Sequence, residues 1–141
     1  MRVGFTGTQE GMTAKQKAEV AFWLRNIADG QSFAKDPVTL HHGGCIGADA
    51  EAHDLAAHLG YRREVHPALV DVSKQATLTI NEDGDVVARP RSPLDRNKDI
   101  VDRVDVLIAA PRQRKEVMRS GTWHTVRYAA KVGRTTIMVW P

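Results

Sequence analysis

Segments typical of strands alternate with segments typical of helices along almost the whole chain, and this alternation restricts the fold more than any other feature. Residues 3–6, 38–42, 63–66, 106–110 and 136–140 have strand character, and most of them are separated by helical patterns. Parallel strands need such long crossover connections, which are almost always right-handed. The continuous apolar run at 106–110 is typical of a central strand covered on both faces. We therefore predict an α/β fold with a doubly wound, mainly parallel five-stranded sheet and helices on both faces.

The ends of the predicted helices carry residues that typically cap helices. Thr13 precedes the first helical pattern, which stops at Gly30. Ser92-Pro93 resembles an N-cap followed by a first-turn proline and starts a helix with Leu94, Val101 and Val104 on one side. The other helical patterns run over 48–59 and 122–131.

Residues 68–91 interrupt the alternation. The strand-like stretches 77–80 and 86–89 flank Asn81-Glu82-Asp83-Gly84-Asp85, and an Asp-Gly pair tolerates the positive φ angles of tight turns. This pattern predicts an inserted β-hairpin at about 76–89, acting as a lid or a subunit contact.

The composition fits one soluble domain. The 141 residues can bury a hydrophobic core, and 42% hydrophobic with 26% charged residues is ordinary for a globular protein, so we expect a single domain over residues 1–141. The net charge of +3 suits an anionic small molecule as well as nucleic acid. Cys45 has no partner for a disulfide, no apolar run reaches the ~20 residues of a membrane span, and the N-terminus lacks a signal-peptide layout. We therefore expect a cytoplasmic protein without membrane partners.

Three glycine-containing turns follow predicted strands. They are Thr6-Gly7-Thr8, the run from Gly43-Gly44 to Gly47, and Ser120-Gly121-Thr122. Glycine permits sharp turns and close approach of a ligand, hydroxyls bind phosphate or sugar, and helix N-termini attract anions. Because the carboxyl ends of parallel strands meet at one edge of the sheet, these turns predict one nucleotide or phosphate pocket.

Several polar residues near these turns are candidates for ligand contact. Asp49 lies in the first turn of a helix, where either the helix dipole or a hydrogen bond to a ribose or base explains it. Arg96-Asn97 lies early in a later helix, and the residues alone favour a solvated surface charge for Arg96. His124 stands near a helix start, within reach of a ligand or in solvent.

The remaining histidines and basic residues carry weaker predictions. His53 and His58 lie off the apolar face of their helix and are expected in solvent, and the Cys/His spacing predicts no metal site. Trp123 and Arg127 have the spacing for stacking on each other, while Trp123 could instead cover a base or pack at a subunit interface. The basic loop 112–119 could steer an anion inward, although the dispersed Lys and Arg do not indicate a nucleic-acid surface.

The order of these motifs resembles the SLOG superfamily, the Rossmann-like group that contains the LOG phosphoribohydrolases, DprA and the small YspA/YpsA-related single-domain proteins. The resemblance covers the chain except for residues 76–89. The motifs that carry it are Thr6-Gly7-Thr8, the stretch from Gly43 to Asp49, the stretch from Arg96 to Val101, the stretch from Asp105 to Ala109, and Ser120-Gly121-Thr122.

The resemblance implies a nucleotide or nucleotide-derived ligand in the cleft between these loops, with no resident cofactor. Arg96 matches the arginine that works with a glutamate in LOG enzymes, which hydrolyse the N-glycosidic bond of nucleoside monophosphates. No glutamate follows Gly121-Thr122, so ligand binding, for instance by a sensor, is favoured over catalysis. The predicted ligand-binding residues are Thr6, Gly7, Thr8, Gly43, Gly44, Gly47, Asp49, Arg96, Asn97, Ser120, Gly121 and Thr122.

Two alternatives stay open beside nucleotide binding. The first is a LOG-like hydrolase in which Arg96 binds phosphate and Asp49 or His124 transfers a proton or acts as the nucleophile. The second is DprA-like binding of single-stranded DNA by the basic loop 112–119, ranked last because the net positive charge is small. Self-association through the predicted hairpin or Trp123 is a further hypothesis.

Overall fold

The computed structural model describes residues 1–69 and 71–141. Strands and helices alternate in the order β1, α1, β2, α2, β3, β4, α3, β5, α4, β6, with a short 3-10 helix at Val72–Lys74 between β3 and β4. The strands are β1 Arg2–Gly7, β2 Thr39–His42, β3 Arg62–Val65, β4 Val86–Val87, β5 Val106–Ala110 and β6 Thr135–Met138. The helices are α1 Ala14–Gly30, α2 Ala48–His58, α3 Pro93–Arg103 and α4 Gly121–Lys131. No helix in the described ranges has the length and apolar character needed to cross a bilayer.

The strands form one sheet in the order β4-β3-β2-β1-β5-β6, and every neighbouring pair is parallel. The chain moves outward from β1 through β2, β3 and β4, then returns to the other side of β1 to form β5. The strand order therefore reverses between β1 and β5, which is where open α/β sheets form ligand crevices at the strands' carboxyl ends. The predicted α/β class and parallel sheet are confirmed, but the sheet has six strands rather than five.

The hairpin predicted at about 76–89 is not confirmed. Residues 76–80 form no strand, and Val86–Val87 pairs in parallel with β3 as the sixth strand. The reason is a buried ion pair: the backbone N–H and Nε of Arg63 on β3 donate to Asp85 Oδ1 at 3.0 and 3.2 Å. Asp85 also accepts from the Asn81 amide at 2.7 Å, so the turn around Gly84 is held against the edge of β3.

The core is divided by the sheet. On one face α1 and α2 bury a large cluster that includes Phe5, Leu24 and Leu40. On the other face α3 and α4 pack on the sheet through a smaller cluster that includes Val101 and Leu107. Of the three apolar residues predicted on one side of α3, Val101 and Val104 are buried, but Leu94 in its first turn is 56% exposed.

The N-caps predicted at Thr13 and Ser92 are confirmed, and the capping box of α1 also organises the carboxyl edge of the sheet. Thr13 forms a capping box with Gln16, and Ser92 and Ser120 cap α3 and α4. The buried Gln16 amide also donates to the carbonyls of Pro111 and Val139, at 2.8 and 3.0 Å. This side chain ties α1 to the chain leaving β5 and β6.

Candidate functional site

A cavity of about 620 Å³ opens at the carboxyl edge of the sheet, where the strand order reverses. That volume is typical of small-molecule sites. Its lining comes from the loops after β1, β2 and β5, the first turns of α2, α3 and α4, and the 3-10 helix. Ten of the twelve predicted ligand-binding residues line it, namely Thr6, Gly7, Thr8, Gly43, Asp49, Arg96, Asn97, Ser120, Gly121 and Thr122.

Gly44 and Gly47 are not among the lining residues, and each has a structural reason to be glycine. Both have positive φ, +70° and +83°. A Cβ on Gly47 would collide with the backbone carbonyl of Gln9, and one on Gly44 would come within 2.7 Å of Val65. The Gly44 amide donates to His42 Nδ1 at 3.0 Å and the Ala48 amide donates to the Thr8 carbonyl at 2.9 Å. These two amides are therefore not available to an anion.

Arg96 is buried rather than solvated, contrary to what the residues alone favoured. Only 8% of it is exposed. Its Nη1 donates to the carbonyls of Gly43 and His66 at 2.7 and 3.0 Å, which joins the ends of β2 and β3. A Cβ on Gly43 would collide with this guanidinium, so glycine is required there for Arg96 to fit. Its Nη2 contacts only the Cys45 sulfur, at 3.8 Å, among the described residues, and it remains available on the cavity side.

Asp49 lies in the cavity wall close to Arg96. It is 5% exposed and accepts from the Cys45 amide at 3.2 Å. Burial raises the pKa of Asp49 to about 6, although the amides of Cys45 and Gly43 and the charge of Arg96 act in the opposite direction. Burial also raises the pKa of the neighbouring Cys45 thiol, which is therefore neutral at pH 7.

The N-terminus of α4 presents open backbone donors to the cavity. The Ser120 side chain accepts from the Trp123 amide at 3.3 Å, while the amides of Gly121 and Thr122 have no acceptor within residues 1–69 and 71–141. A Cβ added to Gly121 would meet nothing within 4 Å, so there is room beside these amides. This is the anion-binding end of the helix dipole.

The other side of the cavity is the loop after β1. Thr6, Gly7 and Thr8 all line it, but the Thr8 backbone is occupied by the Ala110 carbonyl and the Ala48 amide. Thr8 Oγ1 accepts from the Glu10 amide at 3.2 Å and keeps its hydroxyl proton for a ligand.

Asn97 and His124 are placed differently from each other. Asn97 lines the cavity and accepts from Arg96 Nε at 3.0 Å, so it orients the guanidinium. His124 is not among the lining residues, and its nearest polar contact is Asn97 Nδ2 at 3.4 Å. The geometry therefore does not bring His124 to the cavity as a candidate catalytic group.

The charges around the cavity are strongly unbalanced. The lining contains four cationic side chains, Lys74, Arg96, Arg112 and Arg119, and one carboxylate, Asp49. Arg112 pairs with Glu10 at 2.9 Å on the exposed rim, whereas Lys74 and Arg119 have no acidic partner in the described part of the chain. This arrangement favours an anionic ligand.

Sequence reasoning missed Lys74 and Gln9. Lys74 belongs to the stretch interpreted as the approach to a hairpin. Its carbonyl accepts from the Ile46 amide, and the next residue, Gln75, forms a β-bridge with Cys45. These two contacts bring Lys74 to the cavity. Gln9 directly follows Thr8, and extending the first glycine turn by one residue would have found it.

Two further expectations about aromatic and histidine residues are wrong. His53 is fully buried between His42 Nε2 at 2.9 Å and the Thr79 carbonyl at 2.7 Å, whereas His58 is exposed as expected. Trp123 packs near Trp140, with 6.2 Å between ring centroids, rather than on Arg127. Arg127 instead donates to Glu116 at 2.8 Å.

No protein-family model and no curated protein matches this sequence. Solved structures nevertheless share its fold. The Moco carrier protein from Chlamydomonas reinhardtii aligns over 99% of this chain and 76% of its own, with TM-score 0.62 and 19% identity. DNA processing protein A from Helicobacter pylori aligns over 98% and 64%, with TM-score 0.61 and 17% identity.

DNA processing protein A (DprA) from Streptococcus pneumoniae aligns over 97% of this chain but only 49% of its own, with TM-score 0.63 and 16% identity. These similarities are at the level of fold. They agree with the parallel α/β fold that the alternation of strands and helices predicted.

Proposed function

We propose that this chain, which has the fold of the Moco carrier protein and DprA, binds a nucleotide or nucleotide-derived anion in the cavity at the carboxyl edge of its sheet. The observation that carries this proposal is the combination of four cationic side chains and one carboxylate with two amides at the N-terminus of α4 that have no acceptor in the described part of the chain. A phosphate is the anion that helix N-termini and arginines both bind well. The cavity volume of about 620 Å³ leaves room for a sugar and base beyond the phosphate.

The proposed contacts divide the ligand between the two sides of the cavity. Phosphate oxygens accept from the amides of Gly121 and Thr122, with Arg119 and the cavity-side Nη2 of Arg96 supplying positive charge. Thr8 and Asp49 reach the sugar or base. One structural neighbour is named as a carrier protein for Moco, which supports binding without an assigned reaction.

The sharpest test changes a single amide at position 121. Proline is tolerated at the first helical position, and Ser120 has the extended ψ of 130° that precedes proline readily. Gly121→Pro therefore removes one N–H donor and leaves α4 in place. Gly121→Ala is the matched control, because its Cβ points into open space and it keeps the N–H.

Binding of nucleoside mono-, di- and triphosphates is measured by isothermal titration calorimetry, with the unphosphorylated nucleoside beside them. We expect Gly121→Pro to weaken phosphate-dependent binding by roughly 10- to 100-fold, the worth of a hydrogen bond to a charged group, and Gly121→Ala to leave it unchanged. Equal affinities for nucleotide and nucleoside, or equal affinities of the two variants, would contradict the proposal.

Hydrolysis of an N-glycosidic bond is a second candidate because of Asp49. A carboxyl with a pKa of about 6 inside a cavity is suited to proton transfer near neutral pH. The same titrations, followed by chromatography for free base, test this candidate. Base released by the wild type and not by Asp49→Asn would support hydrolysis, and intact nucleotide after prolonged incubation would exclude it.

Binding of single-stranded DNA is a third candidate, favoured by the rim of the cavity and by the similarity to DprA. Arg112 and Arg119 line the rim, and Arg114 lies over the Trp140 ring at 5.1 Å. The similarity of the fold to DprA weakens the expectation that nucleic acid is not a ligand. An oligonucleotide that binds with a steep salt dependence, reduced in Arg114→Glu, would support it.

A further inference from the structure

Three potential metal ligands meet on the sheet face covered by α3, outside the cavity. His41 on β2 is paired in register with Glu64 on β3, so their side chains leave the same face of the sheet. His66 lies two residues beyond Glu64 and continues on that face, its amide donating to the His42 carbonyl at 2.8 Å. The register of two parallel strands thus brings together residues that sequence spacing did not connect.

The donor atoms of this cluster converge on one point. His41 Nδ1 lies 3.1 Å from His66 Nε2, and Glu64 oxygens lie 3.8 Å from the first and 3.4 Å from the second. These three residues are the group of His, Cys, Asp or Glu side chains within the described ranges whose ligand atoms are close enough to share an ion. Two nitrogen ligands of one tetrahedral zinc ion are roughly 3.4 Å apart, given Zn–N bonds of about 2.1 Å.

The protonation of the cluster suits a cation. Burial, together with nearby positive charge, lowers the pKa of both His41 and His66 to about 4, so both imidazoles are neutral at pH 7 and carry a lone pair. Arg103, the nearby cation common to both, is within 3.6 Å of the Asp99 carboxylate, which reduces its repulsion. Glu64 supplies the negative charge.

The surroundings offer the three side chains few polar contacts outside the cluster. His41 Nε2 is buried without a hydrogen-bond partner among the described residues, so the polar contacts of this ring are those to His66 and Glu64. The imidazoles are 3% and 5% exposed, while Glu64 is 27% exposed and provides a route from solvent.

We propose that His41, Glu64 and His66 form a binding site for one divalent transition-metal ion, with Zn²⁺ as the best match. Two imidazoles and one carboxylate select borderline ions such as Zn²⁺ and Co²⁺ over Mg²⁺ and Ca²⁺, which prefer oxygen ligands. Three protein ligands leave a position for water on the exposed Glu64 side. The site is separate from the nucleotide cavity, and its existence does not depend on the proposed function.

The test is a titration of the metal-free full chain with Zn²⁺, using calorimetry for stoichiometry and thermal unfolding for stabilisation. We expect one Zn²⁺ per chain, a higher Tm with Zn²⁺ and no change with Mg²⁺. Co²⁺ should give visible absorption bands without a thiolate charge-transfer band, since the ligands contain no sulfur. Glu64→Gln, His41→Gln and His66→Gln should each weaken Zn²⁺ binding by more than about tenfold.

Two control variants separate this site from other zinc ligands in the chain. His58→Gln removes an exposed imidazole on α2, and Cys45→Ser removes the thiol in the cavity wall, so both should bind Zn²⁺ like the wild type. Glu64→Gln keeps the test decisive if the buried histidine variants unfold, because its side chain is partly exposed. Absence of Zn²⁺ binding by the wild type, or unchanged binding in Glu64→Gln, would overturn the proposal and leave a histidine–histidine hydrogen bond beside a solvated glutamate.

Discussion

Asp49 is the residue whose chemistry most affects how the cavity receives an anion. At pH 7.5 its carboxyl is ionised and repels a phosphate, while below its pKa of about 6 it is neutral. The affinity for an anion should therefore increase as the pH falls from 7.5 to 5. Among the described residues, the cavity lining contains no histidine and no other carboxyl, so Asp49 is the lining group expected to titrate over this range. The histidines at 41 and 66, outside the cavity, have pKa values of about 4 and stay neutral.

A 3′,5′-cyclic nucleotide is the suitable probe for this prediction because its phosphodiester does not titrate in that range. We expect wild-type affinity to rise severalfold between pH 7.5 and 5, and Asp49→Asn to bind at pH 7.5 about as tightly as the wild type at pH 5. Calorimetry at each pH checks it. A slope that persists unchanged in Asp49→Asn would show that another group controls binding.

The burial of Arg96 is a property of a single residue that could not be predicted from the sequence. Its burial depends on the absence of a side chain at Gly43, 53 positions away, and on carbonyls at the ends of two strands. No local pattern contains that information, so the residues alone indicated a surface charge. The family resemblance did identify Arg96 as a candidate site residue. Related proteins keep the same motifs in the same order, and these motifs come together in the folded chain.

Among the elements, β4 depends most on a single interaction. Only two residues long, it follows Asp85, whose side chain is 2% exposed and is paired with the 6% exposed side chain of Arg63. Asp85→Ala would leave a buried guanidinium without its counter-charge, and breaking such a pair costs about 3–5 kcal/mol. We expect the free energy of unfolding to fall by about that amount in urea denaturation.

Asp83→Ala is the matched control for this prediction, since it removes an exposed carboxylate from the same turn. It should change stability by less than about 0.5 kcal/mol. The double variant Arg63→Met with Asp85→Leu should recover only the part of the loss that comes from the unpaired guanidinium, because the backbone amides of Arg63 and Asn81 still lose their acceptor. A small effect of Asp85→Ala alone would mean that solvent reaches Arg63.

The elements also show which sequence signals were sufficient. Helices α1 and α3 begin at the predicted caps Thr13 and Ser92, because capping is a local interaction. The prediction of a hairpin was wrong because an Asp-Gly pair indicates a turn but does not indicate which strand pairs with the residues that follow it. That partner was decided by Arg63, on a strand formed earlier in the chain.

For the whole molecule, the order of strands and helices was enough to predict a parallel doubly wound sheet and the edge at which a cavity forms. The number of strands was not, because a two-residue edge strand carries almost no pattern. The location of the ten lining residues followed from topology, since turns after parallel strands meet at one edge. The His41–Glu64–His66 cluster required the register between β2 and β3, which composition and spacing do not contain.

The reversal of strand order between β1 and β5 has a consequence for how the protein could be divided. One wall of the cavity belongs to the segment before α3 and the other to α3, β5 and α4, so a chain cut at the exposed Arg89-Pro90 step yields two fragments with half a pocket each. Fragments 1–89 and 90–141 should each fail to retain a nucleotide, and co-expression should restore retention as β5 re-anneals beside β1. Fluorescence anisotropy with a labelled nucleotide would measure this complementation, and retention by either fragment alone would show that the ligand is held from one side.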